Sequence, residues 1–496
     1  MSTIKKLAGH TLWYGVPTIL SRFLNYLLSL LLVGIFKPEA FGVITNIYAF
    51  IPFLNIVFTY GLETAFFRFG QIKDKQQVYN TLTVSLLFST VLFTIPLLVF
   101  SGNLASFLEI PEHPEYIVWA AGIVFFDTLS LLPQSVLRQQ ERPQRFAFVR
   151  VTNIVANIFF TILFYLIAPR YQQSPLFGWY DAGMGVGYVL IANLMGSVLT
   201  LLMLFPEWRK ARLIFDKELW KEIMQYSLPL IVVGFGGMVN EMLSRFIYLK
   251  VSPLPEAAKA HELGVFGANY KLAVLITIFI QVFKMAAEPF FFSQASNQGA
   301  PATYARVMKF FVMACCFMFL GVALFLDVWK WLITYKNPEY GEGILVVPIL
   351  AMASVFLGIY YNLSIWYKLT NNNWIGARIT LTGAALTIAL NIWWIPRFGY
   401  VGSAWATFIC YAYMMVASYW LGQKHYRVPY EVGVLLGYIL FAAGLYILHR
   451  VAGYYISSVP LRIVLGVVLL SVFTLGIIYK ERREMENLPF IGKWIA

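Results

Sequence analysis

Residues 12–36 read LWYGVPTILSRFLNYLLSLLLVGIF, and residues 41–69 read FGVITNIYAFIPFLNIVFTYGLETAFFRF. As helices rising 1.5 Å per residue, both are long enough to cross a hydrocarbon core about 30 Å thick. Three charged side chains interrupt them: Arg22 near the middle of the first, and Glu63 and Arg68 towards the far end of the second. Charge inside an apolar span is costly, so each such residue marks a functional site or needs a structural partner.

The same texture runs through the whole chain. Of its 496 residues 59% are hydrophobic and 12% charged, about half the charge of a soluble domain. Fourteen apolar segments are predicted to span: 10–34, 42–68, 79–101, 115–137, 146–168, 184–206, 223–248, 264–292, 306–327, 342–367, 374–395, 399–421, 431–450 and 459–479. The fold class is an all-α membrane protein. Spans longer than 25 residues must tilt, kink or project, and prolines such as Pro52, Pro96 and Pro133 supply kinks. The longest connections, 169–183 and 249–263, are 15 residues each, too short for a soluble domain. They also leave no sizeable outer loop for a membrane enzyme such as a sugar polymerase or ligase, so no enzymatic activity is expected.

Lysine and arginine give the topology. With the N-terminus inside, 24 of the 37 fall on the cytoplasmic side, Arg138, Arg150 and Lys309 among them, and nine on the other. Arg22, Arg245, Lys271 and Lys284 remain inside spans. Both termini are therefore expected in the cytoplasm. This asymmetry accounts for the net charge of +13 without nucleic acid as a partner. The segment 207–222 (EWRKARLIFDKELWKE) reads as an amphipathic cytoplasmic helix on the membrane surface. The first ten residues, MSTIKKLAGH, lack a small-residue cleavage site and lead into the first membrane helix rather than a removable signal. Cys315, Cys316 and Cys410 lie in apolar spans without metal-ligand spacing, and the five histidines form no metal constellation. Gly183-Met-Gly-Val-Gly187 has no preceding strand and is no nucleotide loop. Neither a metal nor another cofactor is expected.

The chain also repeats itself. Tyr14-Gly-Val-Pro17 corresponds to Tyr226-Ser-Leu-Pro229, and Phe41-Gly-Val-Ile-Thr-Asn-Ile-Tyr48 to Leu263-Gly-Val-Phe-Gly-Ala-Asn-Tyr270. Glu63-Thr-Ala-Phe-Phe-Arg-Phe69 corresponds to Glu288-Pro-Phe-Phe-Phe292, Arg138–Pro143 to Lys368–Asn373, and Gly187 to Gly402. Six spans separate equivalent points, so the two units share one orientation, related by an axis along the membrane normal. The organisation that follows is a six-helix bundle over 1–206, a linker over 207–222 and a second bundle over 223–422. Two extra helices occupy 423–480, and a cytoplasmic tail occupies 481–496. Two bundles facing a central cavity and rocking about it are the natural mechanical reading.

Fourteen helices as 6 + 6 + 2, with G-x-x-x-x-x-Y opening the second helix of each half (Gly42–Tyr48 and Gly264–Tyr270), resemble polysaccharide flippases. These belong to the multidrug/oligosaccharidyl-lipid/polysaccharide exporter superfamily, and the Wzx-type carriers within it are the nearest in kind. The resemblance covers essentially the whole chain. It implies a monomeric carrier in the bacterial inner membrane that flips undecaprenyl-pyrophosphate-linked repeat units of O-antigen, capsule or exopolysaccharide. Its partners would be that lipid-linked oligosaccharide and the membrane lipids, with proton or sodium coupling. The alternatives are a cation-coupled multidrug exporter of the same superfamily and a lipid II flippase.

A cationic cavity is what this resemblance implies for a pyrophosphate substrate, and the candidates for it are Arg22, Lys271 and Arg245. A guanidinium grips phosphate oxygens bidentately and stays charged. Arg22 could equally be the partner of Glu63 or Asp127. Lys271 and Lys284 lie on one helix thirteen residues apart, about 220° round it, so they cannot share a face. Lys284 and Glu288 stand i, i+4 and read as a local pair; Glu241 and Arg245 stand likewise, either self-paired or facing the cavity. Glu63, Glu288, Asp127 and Glu241 are the candidates for ion coupling or for a gate, since a buried carboxylate can hold a proton near neutral pH.

Overall fold

The computed structural model describes residues 20–485 apart from Glu141, Ala295, Ser296, Gln298 and Asn371; the side chains of Glu241 and Glu288 lie outside the described residues. Among the described residues every regular element is helical. Ten helices are long and apolar enough to cross a membrane, and two shorter apolar helices, Leu20–Ile35 and Gly187–Met203, accompany them.

In chain order the principal helices are α1 (Leu20–Ile35), α2 (Pro38–Thr59), α3 (Leu62–Ile72), α4 (Lys75–Val99), α5 (Pro114–Gln139), α6 (Pro143–Ile162) and α7 (Gly187–Met203). Then come α8 (Lys217–Met238), α9 (Ser244–Val251), α10 (Glu256–Gln294), α11 (Ala300–Ala323), α12 (Val346–Leu363), α13 (Asn373–His425), α14 (Val432–Tyr455) and α15 (Val459–Met485).

Local chemistry sets these boundaries. Pro38, Pro114 and Pro143 open α2, α5 and α6 in the first turn, where a missing N–H leaves no bond unmade. Asp74 and Asp216 cap α4 and α8, accepting from the backbone N–H of Gln77 (2.8 Å) and Leu219 (3.0 Å). Tyr60 and Gly61, with φ 31° and 77°, separate α2 from α3 inside what hydropathy reads as one span.

Two expected spans, 374–395 and 399–421, are two helices within the range of α13, parted by non-helical backbone at Gly399. Its φ of 57° requires glycine, and a Cβ there would stand 3.0 Å from the Glu262 carboxylate. The expected span 223–248 is divided into α8 and α9 by a π-helical turn over Val239–Leu243. The expected loop over 249–263 is mostly helix, because α10 already starts at Glu256. At 39 residues, α10 is about 58 Å long, which forces tilt or projection.

The segment 207–222 departs from the expectation of one surface helix. A short turn over Phe205–Trp208 is followed by non-helical backbone to Asp216, and helix resumes at Lys217. Polar side chains of α4 take the backbone bonds that a helix would have made. Gln76 donates to the Lys210 carbonyl (2.8 Å), Asn80 accepts from Arg212 N–H (2.8 Å), and Tyr79 donates to the Glu207 carbonyl (3.0 Å). Gln77 donates to the Asp216 carboxylate (2.6 Å). The buried Glu207 is paired with Arg145 at 2.9 Å. The linker is a strap tied to α4.

Packing groups the chain into two compact units, residues 1–267 with 380–403 and residues 268–379 with 404–496. These units follow contact, whereas the bundles 1–206 and 223–422 follow the repeat. In the first unit, Leu62, Phe66 and Phe69 of α3 form a core with Val78, Leu82 and Leu86 of α4, Leu132 and Val136 of α5, and Leu219 and Ile223 of α8. In the second, Ala353, Leu357 and Tyr360 of α12 pack with Ile379, Cys410, Tyr411 and Met414 of α13.

Candidate functional site

The α3–α4–α5 core fixes the end of α5 beside the start of α3, and two charges meet there. Glu63, in the first turn of α3, is ion-paired with Arg138, in the last turn of α5. The Arg138 guanidinium also stands over the rings of Phe67 (4.9 Å) and Phe146 (5.6 Å). Arg150, two turns into α6, lies over the same Phe146 ring at 5.6 Å. The charges of Arg138, Glu63, Asp127 and Arg22 all act on Arg150. One aromatic ring and five ionisable side chains from α1, α3, α5 and α6 therefore make a single electrostatic cluster.

Asp127 sits in the middle of α5, with the Ser197 hydroxyl of α7 and the Tyr48 phenol of α2 next to it. Asn193 donates to that phenol oxygen at 2.9 Å. Asp127 and Arg150 are surrounded by protein, yet both keep exposed surface. Both side chains can therefore still be reached from outside the protein. Among the described residues this cluster gathers three arginines with two carboxylates. Planar guanidinium groups gathered in this way are suited to a phosphate or pyrophosphate, which accepts paired N–H bonds.

Three sequence candidates, Arg22, Glu63 and Asp127, thus belong to one cluster. The lysine–arginine count puts Arg138 and Arg150 with the cytoplasmic loops; the structure puts both on helices and in the cluster. The signal for Arg150 lies in its position inside the expected span 146–168. Arg245 has a different setting: it is buried on α9, 5.9 Å from the centre of the Phe266 ring and 3.5 Å from Met242 Sδ.

In the second unit Lys271 is half-buried on α10. Lys284 stands over the Tyr361 ring at 4.6 Å, while the Glu288 side chain expected beside it is outside the described residues. Lys309, which the same count also puts with the cytoplasmic loops, is buried on α11 and paired with the buried Glu481 of α15 at 3.0 Å. Tyr438 of α14 donates to the same carboxylate, and Glu431 lies 3.6 Å from the Lys309 ammonium. Along the same α11 an apolar groove of about 670 Å³ is walled by Phe279 and Phe283 of α10, Phe310 and Phe317 of α11, and Phe473 and Ile477 of α15.

The family described as "Polysaccharide biosynthesis protein" matches residues 7–296. The uncharacterized membrane protein MJ1068 of Methanocaldococcus jannaschii is 20% identical over 451 residues, 86% of this chain and 85% of that one. Among solved structures, the lipid II flippase MurJ in an inward closed conformation superposes with a TM-score of 0.72 at 14% identity. It covers 94% of this chain and 99% of its own. An inward-facing multidrug resistance MATE family transporter of the MOP superfamily superposes at 0.64, with 14% identity, 82% of this chain and 94% of its own. At these identities the two structures speak for a shared fold.

Proposed function

We propose, from the premise that the chain belongs to the polysaccharide biosynthesis protein family, that it is a carrier of the multidrug/oligosaccharidyl-lipid/polysaccharide exporter superfamily and flips a polyprenyl-pyrophosphate-linked oligosaccharide from the cytoplasmic to the outer leaflet of a bacterial plasma membrane by alternating access. The observation that carries this reading is the gathering of the Arg22, Arg138 and Arg150 guanidinium groups with Glu63 and Asp127 inside the first unit. A pyrophosphate meets donors there. Arg22 and Arg150 are the pyrophosphate ligands, and Lys271 is the candidate cation on the second unit. Arg245, packed against an aromatic ring, has a secondary role.

The apolar groove between α10, α11 and α15 supports a lipid-linked cargo over a soluble one, since it offers an isoprenoid tail a continuous aromatic wall. Glu63 and Arg138 act as a gate: a half-exposed pair contributes little to stability, and its arginine is shared with the cluster. Asp127 is the coupling candidate, being the carboxylate that faces water beside Arg150. An inside-negative potential drives an anionic head outwards by about 2.3 kcal/mol per charge per 100 mV, so export of a pyrophosphate needs little further energy.

Arg22→Ala, at matched protein level, is expected to lower glycan export at least about tenfold, the loss of one charge-assisted contact of roughly 1.4 kcal/mol or more. Flipping of defined lipid-linked sugars in proteoliposomes tests the cargo directly. Unchanged export in Arg22→Ala and Arg150→Ala alike would remove the phosphate-gripping role. Transport of lipid II in place of an oligosaccharide carrier would keep the chemistry and change the cargo.

A further inference from the structure

Gly42 and Gly264 open the two copies of the repeated G-x-x-x-x-x-Y motif, on α2 and α10, and in the first unit they meet each other. A Cβ on Gly42 would stand 2.0 Å from the Ala260 carbonyl oxygen and 3.1 Å from Gly264 N. One on Gly264 would stand 1.8 Å from the Pro38 carbonyl oxygen and 3.0 Å from Gly42 N. The relation is reciprocal: each glycine faces the other and the carbonyl four residues before it. The hydrogen that replaces a Cβ points at a carbonyl oxygen in both directions, a weak C–H···O contact that only glycine allows.

One turn further along, a Cβ on Gly267 would lie 2.4 Å from Thr45 Oγ1, so the close approach continues. Beside it His261 Nδ1 and Glu39 Oε1 are 2.7 Å apart, joining α10 to the first turn of α2. These are the ends that the lysine–arginine distribution puts outside.

We infer that Gly42 and Gly264 form a latch that holds the outer ends of α2 and α10 shut, and that this latch must part for the carrier to open outwards. A symmetric backbone contact suits such a task. It is tight when closed, yet it parts without stripping a large side chain from a pocket. The inference takes the meaning of "open" from the transport reading above; the contact itself does not depend on the cargo.

The test uses the full chain in intact cells carrying Ala49→Cys. Ala49 is buried on the same face of α2, two turns beyond Gly42. A membrane-impermeant maleimide is added outside, and mass spectrometry reads the labelled positions. The thiol introduced at position 49 is expected to be protected in the otherwise unaltered chain. With Gly42→Ala or Gly264→Ala it is labelled at least about tenfold faster, because overpacking on that scale removes the closed contact. Gly437→Ala, where a Cβ meets nothing within 4 Å, is the matched control and leaves the rate unchanged.

The native Cys315, Cys316 and Cys410 are buried and stay unlabelled while the fold persists. If an alanine variant labels them too, the fold is lost and His261→Ala decides. It loosens the same ends without a clash and raises labelling at position 49 severalfold if the latch is real. Protection of the introduced thiol in every folded variant overturns the inference, and so does its rapid labelling when both glycines are present. Neither result touches the pyrophosphate reading, which the export assay judges separately.

Discussion

Two charged clusters in this molecule lie in apolar helices, and they are built in opposite ways. The first-unit cluster is accessible: Asp127 and Arg150 keep exposed surface, and three arginines gather there with two carboxylates. The second-unit cluster is paired off: Lys309 and Glu481 are both more than nine-tenths buried and hold each other at 3.0 Å, Tyr438 donates to that carboxylate, and the exposed Glu431 lies 3.6 Å from the ammonium at the edge of a cleft. An ion in a dry interior must be neutralised on the spot. An ion that keeps exposed surface can exchange one partner for another, and a substrate can use that. Charge in a membrane span therefore says little until its access to water is known.

The sharpest way to break this contrast is at Lys309. Lys309→Ala leaves a buried carboxylate without its cation, a loss on the order of 3–5 kcal/mol, read as a collapse of thermal stability in detergent and of folded protein in the membrane. Replacing both partners, Lys309→Met with Glu481→Gln, is expected to restore most of that stability. A stable Lys309→Ala protein that has lost export would turn the paired-off cluster into a second working site.

At Arg150 the effects are expected to divide the other way. Arg150→Ala lowers glycan export about tenfold or more while stability changes by no more than about 1 kcal/mol, because the group sits by water rather than in a dry core. A mutant that unfolds would place Arg150 with Lys309. The smallest effect belongs to the gate pair. Glu63→Gln and Arg138→Gln each shift stability by about 0.5 kcal/mol; the exchange Glu63→Arg with Arg138→Glu recovers export if the pair acts as a gate, and does not if Arg138 binds the cargo itself.

Much of the fold is legible because hydropathy is local: a span declares itself within its own twenty or so residues, and the repeat shows in paired motifs such as Gly42–Tyr48 and Gly264–Tyr270. Arg22, Glu63 and Asp127 stand out for the same reason, as charges where charge is costly. Arg138, Arg150 and Lys309 do not, because each lies near a span end, where the positive-inside count absorbs it. Arg150 is marked by falling inside the span 146–168, and three-dimensional neighbours (Phe146 for the two arginines, Glu481 for the lysine) supply the rest. The strap over 207–222 misleads through its amphipathic period. That pattern is real, but Gln76, Tyr79, Gln77 and Asn80, more than a hundred residues earlier, compete for its backbone and its cap.

The strap also sets a clock on the protein's own synthesis. Gln76 must wait for Lys210, 134 residues later. At about 5–20 residues per second, roughly 7–27 s separate the emergence of the two partners. During that interval Gln76 has Asn80 of its own helix at 2.9 Å as a partner, while α5, α6 and α7 are made. The strap, and with it the Asp216 that caps α8, is therefore joined to α4 by contacts that span more than a hundred residues of synthesis.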